Sequence, residues 1–357
     1  MSIKIDPKAL EALKNFTLPE TIGFGSTLVP IMAVCDYRDG KWGELELLPY
    51  GPITLDPTAK VLHYGQEIFE GMKAYHTDGH GPYLFRPERN AQRFNESARR
   101  MAMAEIPEEI YLEAVRSIVG HSNDFIPTNS GESLYLRPFM IATDENLGIK
   151  PSDTYKFMVI ASPSGSYFTT GCLSVLVERE NVRACPGGMG AAKTGGNYAG
   201  SLISAQRAKK LGYQQTLWLD GIEKKYIEEM SGMNFFAVID GKLFTPKIED
   251  TILDGITRSS LIQLAKDQGI EVVEEKMEIE KLLKAINDGS CTESFACGTA
   301  AIITPIGKFG DVSGTEWNVS NPEGPIAKKL RGSLLALQEG RNEDQHGWRE
   351  TVKVVCY

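Results

Sequence analysis

Short apolar or β-branched runs alternate along the chain with segments whose apolar residues recur at helical spacing. Ser133 to Thr143 (SLYLRPFMIAT) and Lys156 to Ser162 (KFMVIAS) are rich in β-branched and aromatic residues and are predicted strands. In 86–103, Phe94, Ala98 and Met101 share one helix face behind Pro87, which suits a first helical turn. A second helix is predicted over EEIYLEAVRSIVGHS. PSGSYFTTG then breaks the pattern, and its Pro, Gly, Ser and Thr content marks a linker at 163–172. Beyond it come a buried strand (LSVLVE), a glycine-rich loop (RACPGGMGAAKTGGNYAG) and an amphipathic helix (SLISAQRAKKLG) stopped by Gly212. QTLWLD, KYIEEM, NFFAVID and EVVEE read as short strands, and TRSSLIQLAKDQG and EIEKLLKAIND as helices. ESFACGTAAIITPIG is apolar and β-branched, and EGPIAKKLRGSLLALQEG is expected to close the chain as a helix.

A chain of 357 residues suggests about two domains of roughly 150 residues. The pattern predicts an α/β and α+β protein with a small domain at 1–162, a linker at 163–172 and a larger domain at 173–357. A hydrophobic content of 42% with 24% charge is that of a globular chain, and the net charge of −9 argues against nucleic acid as partner. No apolar run approaches the ~20 residues of a membrane span. The N-terminal MSIKIDPKALEALKNF lacks an apolar signal core and reads as a short helix, so a cytoplasmic protein is expected. The six cysteines include no CxxC and the five histidines are scattered, so no metal site and no disulfide are expected.

The chemistry concentrates at Lys193, flanked by Gly187, Gly188, Gly190, Gly195, Gly196 and Gly200. Such density points to unusual backbone angles or close approach to a ligand. One reading is a phosphate loop of the G-x-x-x-x-G-K-[ST] type with TLWLD as its acidic strand; alanine stands where the second glycine belongs, and LSVLVE ends well before the loop. The other is a Schiff base between the lysine amine and pyridoxal 5'-phosphate, a cofactor that serves as electron sink for a carbanion. That chemistry needs a phosphate site, a carboxylate for the pyridine nitrogen and a hydroxyl near the ring oxygen.

Candidates for each accompany a resemblance that spans nearly the whole chain. LHYGQEIFEGMKAY, NAQRFNESARR, SLYLRPF, AAKTGGNYAGSL, IEEMSGMNFF, LDGITRSSL and FACGTAA resemble, in order and spacing, the branched-chain aminotransferases among the fold type IV pyridoxal-phosphate enzymes. The resemblance implies the two-domain architecture shared with D-amino-acid aminotransferase. It also implies a transaminase that moves the amino group of leucine, isoleucine or valine to 2-oxoglutarate, in branched-chain amino acid biosynthesis.

It implies Lys193 as Schiff-base lysine and proton shuttle, Tyr198 on the cofactor's phenolic oxygen, and Glu229 at its pyridine nitrogen. Glu228, on the opposite strand face, is then expected to be solvated. Ile256 and Thr257, at a predicted helix N-terminus, suit the phosphate; Thr299 and Arg93 join them. Phe24, Tyr64, Phe69, Tyr135, Arg137, Tyr167 and the Ala300 backbone are implied as substrate pocket, with Arg137 serving the second carboxylate of glutamate. Leu147 and Ile149 are implied to reach the pocket of a second subunit, hence a homodimer acting on amino acids and 2-oxo acids.

Two positions depart from the family's pattern. Gly232 stands where a threonine is frequent, and Ala301 and Thr304 replace a redox cysteine pair. D-amino-acid aminotransferases and aminodeoxychorismate lyases share the lysine and glutamate but not FEGMKAY with YLRPF.

Overall fold

The structure is a computed structural model that describes residues 3–77, 79–165 and 171–356. The chain divides into two compact units: Met1–Tyr167 with Ala192–Gly195 and Leu335–Tyr357, and Phe168–Ala191 with Gly196–Leu334. The C-terminal residues and the lysine segment therefore group with the first unit, whereas the sequence pattern assigned all of 173–357 to the second domain.

In the first unit the elements are β1 (Lys4–Ile5), α1 (Pro7–Asn15), β2 (Ile31–Arg38), β3 (Lys41–Trp42), β4 (Glu46–Pro49), α2 (Lys60–Tyr64), β5 (Glu67–Phe69), β6 (Met72–Thr77), β7 (His80–Phe85), α3 (Pro87–Arg100), α4 (Glu108–His121), β8 (Ser133–Ala142) and β9 (Tyr155–Ser164). Its sheet runs β1-β4-β2-β9-β8-β6-β7, with a late strand, β19 (Arg349–Thr351), on the β7 edge; β3 pairs with β2 and β5 with β8. α1 starts at Pro7 because Asp6 caps it, accepting from the Lys8 N–H at 2.9 Å. α3 begins at Pro87 as its sequence predicts and turns Ala91, Phe94 and Ala98 inward. Phe94 meets Tyr111 of α4 and Phe157 of β9, with ring centroids 5.4 and 5.6 Å apart. Each such aromatic, fully buried, contributes on the order of 1.5–3 kcal/mol. α3 also buries Asn90, Arg93 and Ser97, polar residues that a purely structural helix would turn to water.

The second unit holds β10 (Leu173–Glu178), α5 (Gly195–Lys210), β11 (Gln215–Leu219), β12 (Ile227–Met230), β13 (Met233–Ile239), β14 (Lys242–Pro246), α6 (Ile256–Asp267), β15 (Val272–Glu275), α7 (Ile279–Asp288), β16 (Cys291–Gly298), β17 (Ile302–Gly310) and β18 (Glu316–Asn318). α8 (Pro325–Gln338) carries the boundary between units, at 334/335. The sheet runs β12-β11-β10-β17-β16-β13-β14-β15, and β12 also pairs with β13, so six strands close on themselves. Inside lie Val175, Leu217, Phe235, Ala296 and Phe309, joined by Leu282 and Ile286 of α7.

α5 starts at Gly195, six residues before the predicted helix, and of its sixteen residues only Ser204 and Ala208 are buried. The apolar run ESFACGTAAIITPIG resolves into the hairpin β16–β17, and β14 was not predicted. The chain continues past its last helix to β19, which pairs antiparallel with β7 through Arg349↔Phe85. Among the described residues no helix is long and apolar enough to cross a membrane.

Candidate active site

The first unit holds the lysine by its main chain. The Lys193 N–H donates to Ser97 Oγ of α3 at 2.9 Å, and its carbonyl accepts from the Phe69 N–H at 3.0 Å. The flanking residues lock onto Glu67: Thr194 Oγ1 donates to the Glu67 carbonyl at 2.8 Å, and the Gly195 N–H donates to Glu67 Oε1. Burial pushes the Glu67 carboxyl up; the bonds from Gly195 and Thr194 and the charge of Arg137 work against it. The Lys193 amine stands 4.9 Å from the centroid of the Phe69 ring. With main chain tethered on both sides, the side chain is aimed while its amine keeps reach.

Four of the residues implied as substrate pocket come together here. Arg137 lies 4.7 Å over the Phe69 ring and donates from Nη2 to the Tyr135 hydroxyl at 3.0 Å; Phe24 meets the Tyr135 ring edge-on at 5.0 Å. Arg137 Nε is buried and finds no hydrogen-bond partner among the described residues. A buried donor left this way costs about 1–3 kcal/mol, which an incoming carboxylate would offset. Tyr64 instead donates to the Leu147 carbonyl, Leu147 and Ile149 stand exposed, and Tyr167 lies outside the described residues.

Arg93 is buried and engaged by a partner that sequence reasoning missed. Its Nε donates to Glu70 Oε1 at 2.7 Å and its Nη2 to Glu70 Oε2 at 2.8 Å. Glu70 is fully buried; burial alone would push its carboxyl up, but the charge and bonds of Arg93, the charge of Lys193 and a bond from Asn90 hold it below the usual range.

In the second unit Glu229 is held by Leu253, whose N–H donates to Oε1 at 2.7 Å, and by Arg183, whose Nε lies 3.3 Å from Oε2. Arg183, also missed in the sequence, is itself pinned by the Gly190 and Thr251 carbonyls. Gly190 is a glycine because a Cβ there would overlap the Thr251 backbone and Ala184. Of the six glycines around the lysine only Gly187 has positive φ, 76°.

Glu228 corrects an expectation: it is buried, not solvated. Every residue of β12 is buried, so neither face of the strand is left to solvent. Burial first, then the neighbouring Glu229 and Asp220, push the Glu228 carboxyl up to about 7, against the pull of Thr251 and Arg183.

Ile256 and Thr257 occupy the first turn of α6, whose N-cap, Gly255, provides no side-chain bond to the helix N–H groups. A Cβ on Gly255 would overlap Asn234 Oδ1. Thr299 and Ala300 lie in the turn joining β16 to β17, and Ile302 just beyond adopts φ 61°, a strained angle for a β-branched residue. Tyr198 sits in the second turn of α5, and a Cβ at Gly232 would come within 3.3 Å of its ring.

Chemically, the first unit offers an aimed lysine amine and a buried arginine, and the second a carboxylate with fixed orientation and a helix start without a side-chain cap. That donor set fits pyridoxal phosphate. It does not fit the nucleotide-loop reading: β10 ends at Glu178, and Asp220 accepts from the N–H groups of Ile222, Glu223, Lys225 and Tyr226, organising a turn.

Residues 67–309 match the family model of amino-transferase class IV. The chain is 47% identical over 334 residues to the branched-chain-amino-acid aminotransferase of Mycolicibacterium smegmatis, covering 91% of each chain. With branched-chain-amino-acid transaminase 1 of Bacillus subtilis the identity is 45% over 341 residues, covering 94% of this chain and 95% of the relative. Among solved structures, the Escherichia coli branched-chain amino acid aminotransferase superposes with a TM-score of 0.73 at 32% identity, covering 90% of this chain and all of the other. The branched-chain aminotransferase of the thermophilic archaeon Thermoproteus uzoniensis, solved with norvaline, gives 0.72 at 28% identity over 90% of this chain and 99% of the other. The chain thus belongs to the class IV aminotransferases, in their branched-chain-amino-acid aminotransferase family.

Proposed function

We propose that the protein transfers the α-amino group of L-leucine, L-isoleucine or L-valine reversibly to 2-oxoglutarate, with pyridoxal 5'-phosphate joined to Lys193. The observation that carries this reading is the lysine itself, tethered through both main-chain groups with its amine over the Phe69 ring, against which Arg137 also stacks. When bound, the cofactor supplies an electron sink for the negative charge that develops at the substrate Cα.

The chain's own residues do the rest. Lys193 Nζ, when free as an amine, would take the proton from the substrate Cα and hand it to the cofactor's C4′ on the same face. Glu229, kept oriented by Leu253 and Arg183, offers an anionic acceptor to the pyridine N–H. The first-turn N–H groups of α6 at Ile256 and Thr257, with Thr299 and Arg93, would hold the phosphate, and Tyr198 the phenolic oxygen. Phe24, Phe69 and Tyr135 give an aliphatic side chain an apolar wall, with Tyr64 and the Ala300 backbone as further lining. Arg137 turns its buried Nε to the second carboxylate of glutamate, and its apolar stem serves when leucine is bound.

Leu147 and Ile149 are 57% and 90% exposed, as expected if a second copy covers them in a homodimer. The six cysteines form no disulfide, which suits a reducing, cytoplasmic setting.

The purified protein is expected to show visible absorption that borohydride abolishes, and Lys193→Ala is expected to lack both that band and leucine:2-oxoglutarate transfer. Turnover of Lys193→Ala within tenfold of the parent, or a colourless parent that takes up no pyridoxal phosphate, would overturn the reading.

A further inference from the structure

Glu70 is a fully buried carboxylate one residue beyond β5. Four N–H donors converge on it. Arg93 approaches with Nε at 2.7 Å and Nη2 at 2.8 Å, Asn90 with Nδ2 at 2.8 Å, and the Gly71 main chain with its N–H at 3.1 Å. The residue's own main chain is fixed as well, since its N–H donates to the Pro138 carbonyl at 2.7 Å.

An isolated carboxylate in such a place would be prohibitively costly, and so would an isolated guanidinium. Together they form a forked pair with two parallel charge-assisted bonds, the geometry that fixes an arginine in plane and in rotation. The pair spans from α3 to the segment after β5, and β5 carries the Phe69 N–H that holds Lys193. Glu70 thereby ties the direction of Arg93 to the strand that aims the lysine.

We propose that Glu70 is a positioning residue: it fixes the Arg93 guanidinium to receive a phosphate monoester dianion. The inference rests on the reading of Arg93 as a phosphate ligand. The carboxylate is required because, among the described residues, the groups bonded to it are all N–H donors. In a Glu70→Gln variant the amide nitrogen would meet an N–H of Arg93 in either orientation, at Nε or at Nη2. The guanidinium must then turn away, although side-chain volume and shape hardly change.

The test compares the affinity of the full-length protein, freed of cofactor, for pyridoxal 5'-phosphate and for pyridoxal, which lacks the phosphate. Glu70→Gln is expected to cut the preference for the phosphorylated form at least tenfold and to leave pyridoxal affinity within twofold. A merely structural defect would weaken both ligands alike, and that result would overturn the proposal. Arg93→Gln separates the two layers of argument. If it keeps the parent's preference, the Arg93 assignment itself fails; if it loses the preference while Glu70→Gln keeps it, only the role of Glu70 fails. The double variant should lose no more than Arg93→Gln alone, and additive losses would show that Glu70 does not act through Arg93. Should Glu70→Gln not fold, Glu70→Asp carries the test, keeping the anion but drawing it back by one methylene. A severalfold lower preference with parental pyridoxal affinity then supports the proposal, and an unchanged preference overturns it.

Discussion

Two adjacent glutamates on β12 separate into different chemical roles by what touches them. Glu229 accepts from Leu253 and lies against Arg183, so its charge is matched. Glu228 has a buried oxygen, Oε2, without a hydrogen-bond partner among the described residues, and a carboxyl pushed up to about 7. In the folded chain Glu228 thus holds its proton more tightly than in the unfolded chain, where 4.5 is the ordinary value. No cost arises below that value; between it and about pH 7 the unfolded chain gives up the proton more readily, so stability falls as pH rises. Glu228→Gln, which cannot ionise, is expected to gain on the parent across that window. Its Tm advantage should be larger at pH 8 than at pH 5, with about 2–4 °C for each 1 kcal/mol in domains of this size. Parallel melting curves at both pH values would show that Glu228 ionises freely. Glu229→Gln removes one of the charges that push Glu228 up, so it is expected to narrow this pH dependence without abolishing it, because burial remains, and to lower kcat/KM by about 1.5–3 kcal/mol, the worth of a charged hydrogen bond. Equal kinetic losses from both substitutions would refute the assignment of Glu229 to the pyridine nitrogen.

At the scale of elements, α6 begins without a side-chain cap, and its start is coupled to Glu229 through a short relay. Asn234 Nδ2 donates to the Leu253 carbonyl at 3.0 Å, while the Leu253 N–H holds Glu229. A methyl group at Gly255 would drive into Asn234. Gly255→Ala is therefore expected to cost about 1–3 kcal/mol by overpacking and to blunt the rise in Tm that inorganic phosphate gives the cofactor-free protein. An undiminished phosphate response would remove the α6 start from the anion site. α6 and α7 were legible in the sequence because their apolar residues repeat at helical spacing between turn residues. The start of α5 was not, since Gly195 and Gly196 read as loop, yet the loop glycines mostly serve helix and close packing. Nor could the burial of Glu228 be read: strand alternation assumes one wet face, and both faces of β12 are covered. Lys193, Glu229 and the α6 start stood out through local motifs. Glu70 and Arg183 did not, because their partners lie 23 and 46 residues away in the chain.

For the whole molecule, the exposed Leu147 and Ile149 give the proposed homodimer a test that needs no structure of the pair. A Leu147→Asp/Ile149→Asp variant should be nearly inactive if these side chains complete the pocket of a second copy. Lys193→Ala is expected to be inactive for a different reason, and its Leu147 and Ile149 are intact. Mixing the two after reversible dissociation should restore activity, because a hybrid pair contains one complete site. Random two-fold pairing sets the ceiling at about a quarter of the parental sites. No recovery, with hybrids demonstrated by mass, would mean that these side chains act within their own subunit.

The C-terminal residues bear on how the protein is made. β19 adds to the edge of the first unit's sheet, Gln338 accepts from the Tyr75 hydroxyl at 3.0 Å, and Glu339 accepts from the Gly131 N–H at 2.7 Å. The first unit is consequently completed by residues synthesised after every segment of the second unit. A nascent chain halted after residue 334 has every segment of the second unit, whereas the first still exposes the β7 edge as a surface for aggregation. Emergence of residues 335–356 closes that edge, so truncation after residue 334 endangers the first unit rather than the second.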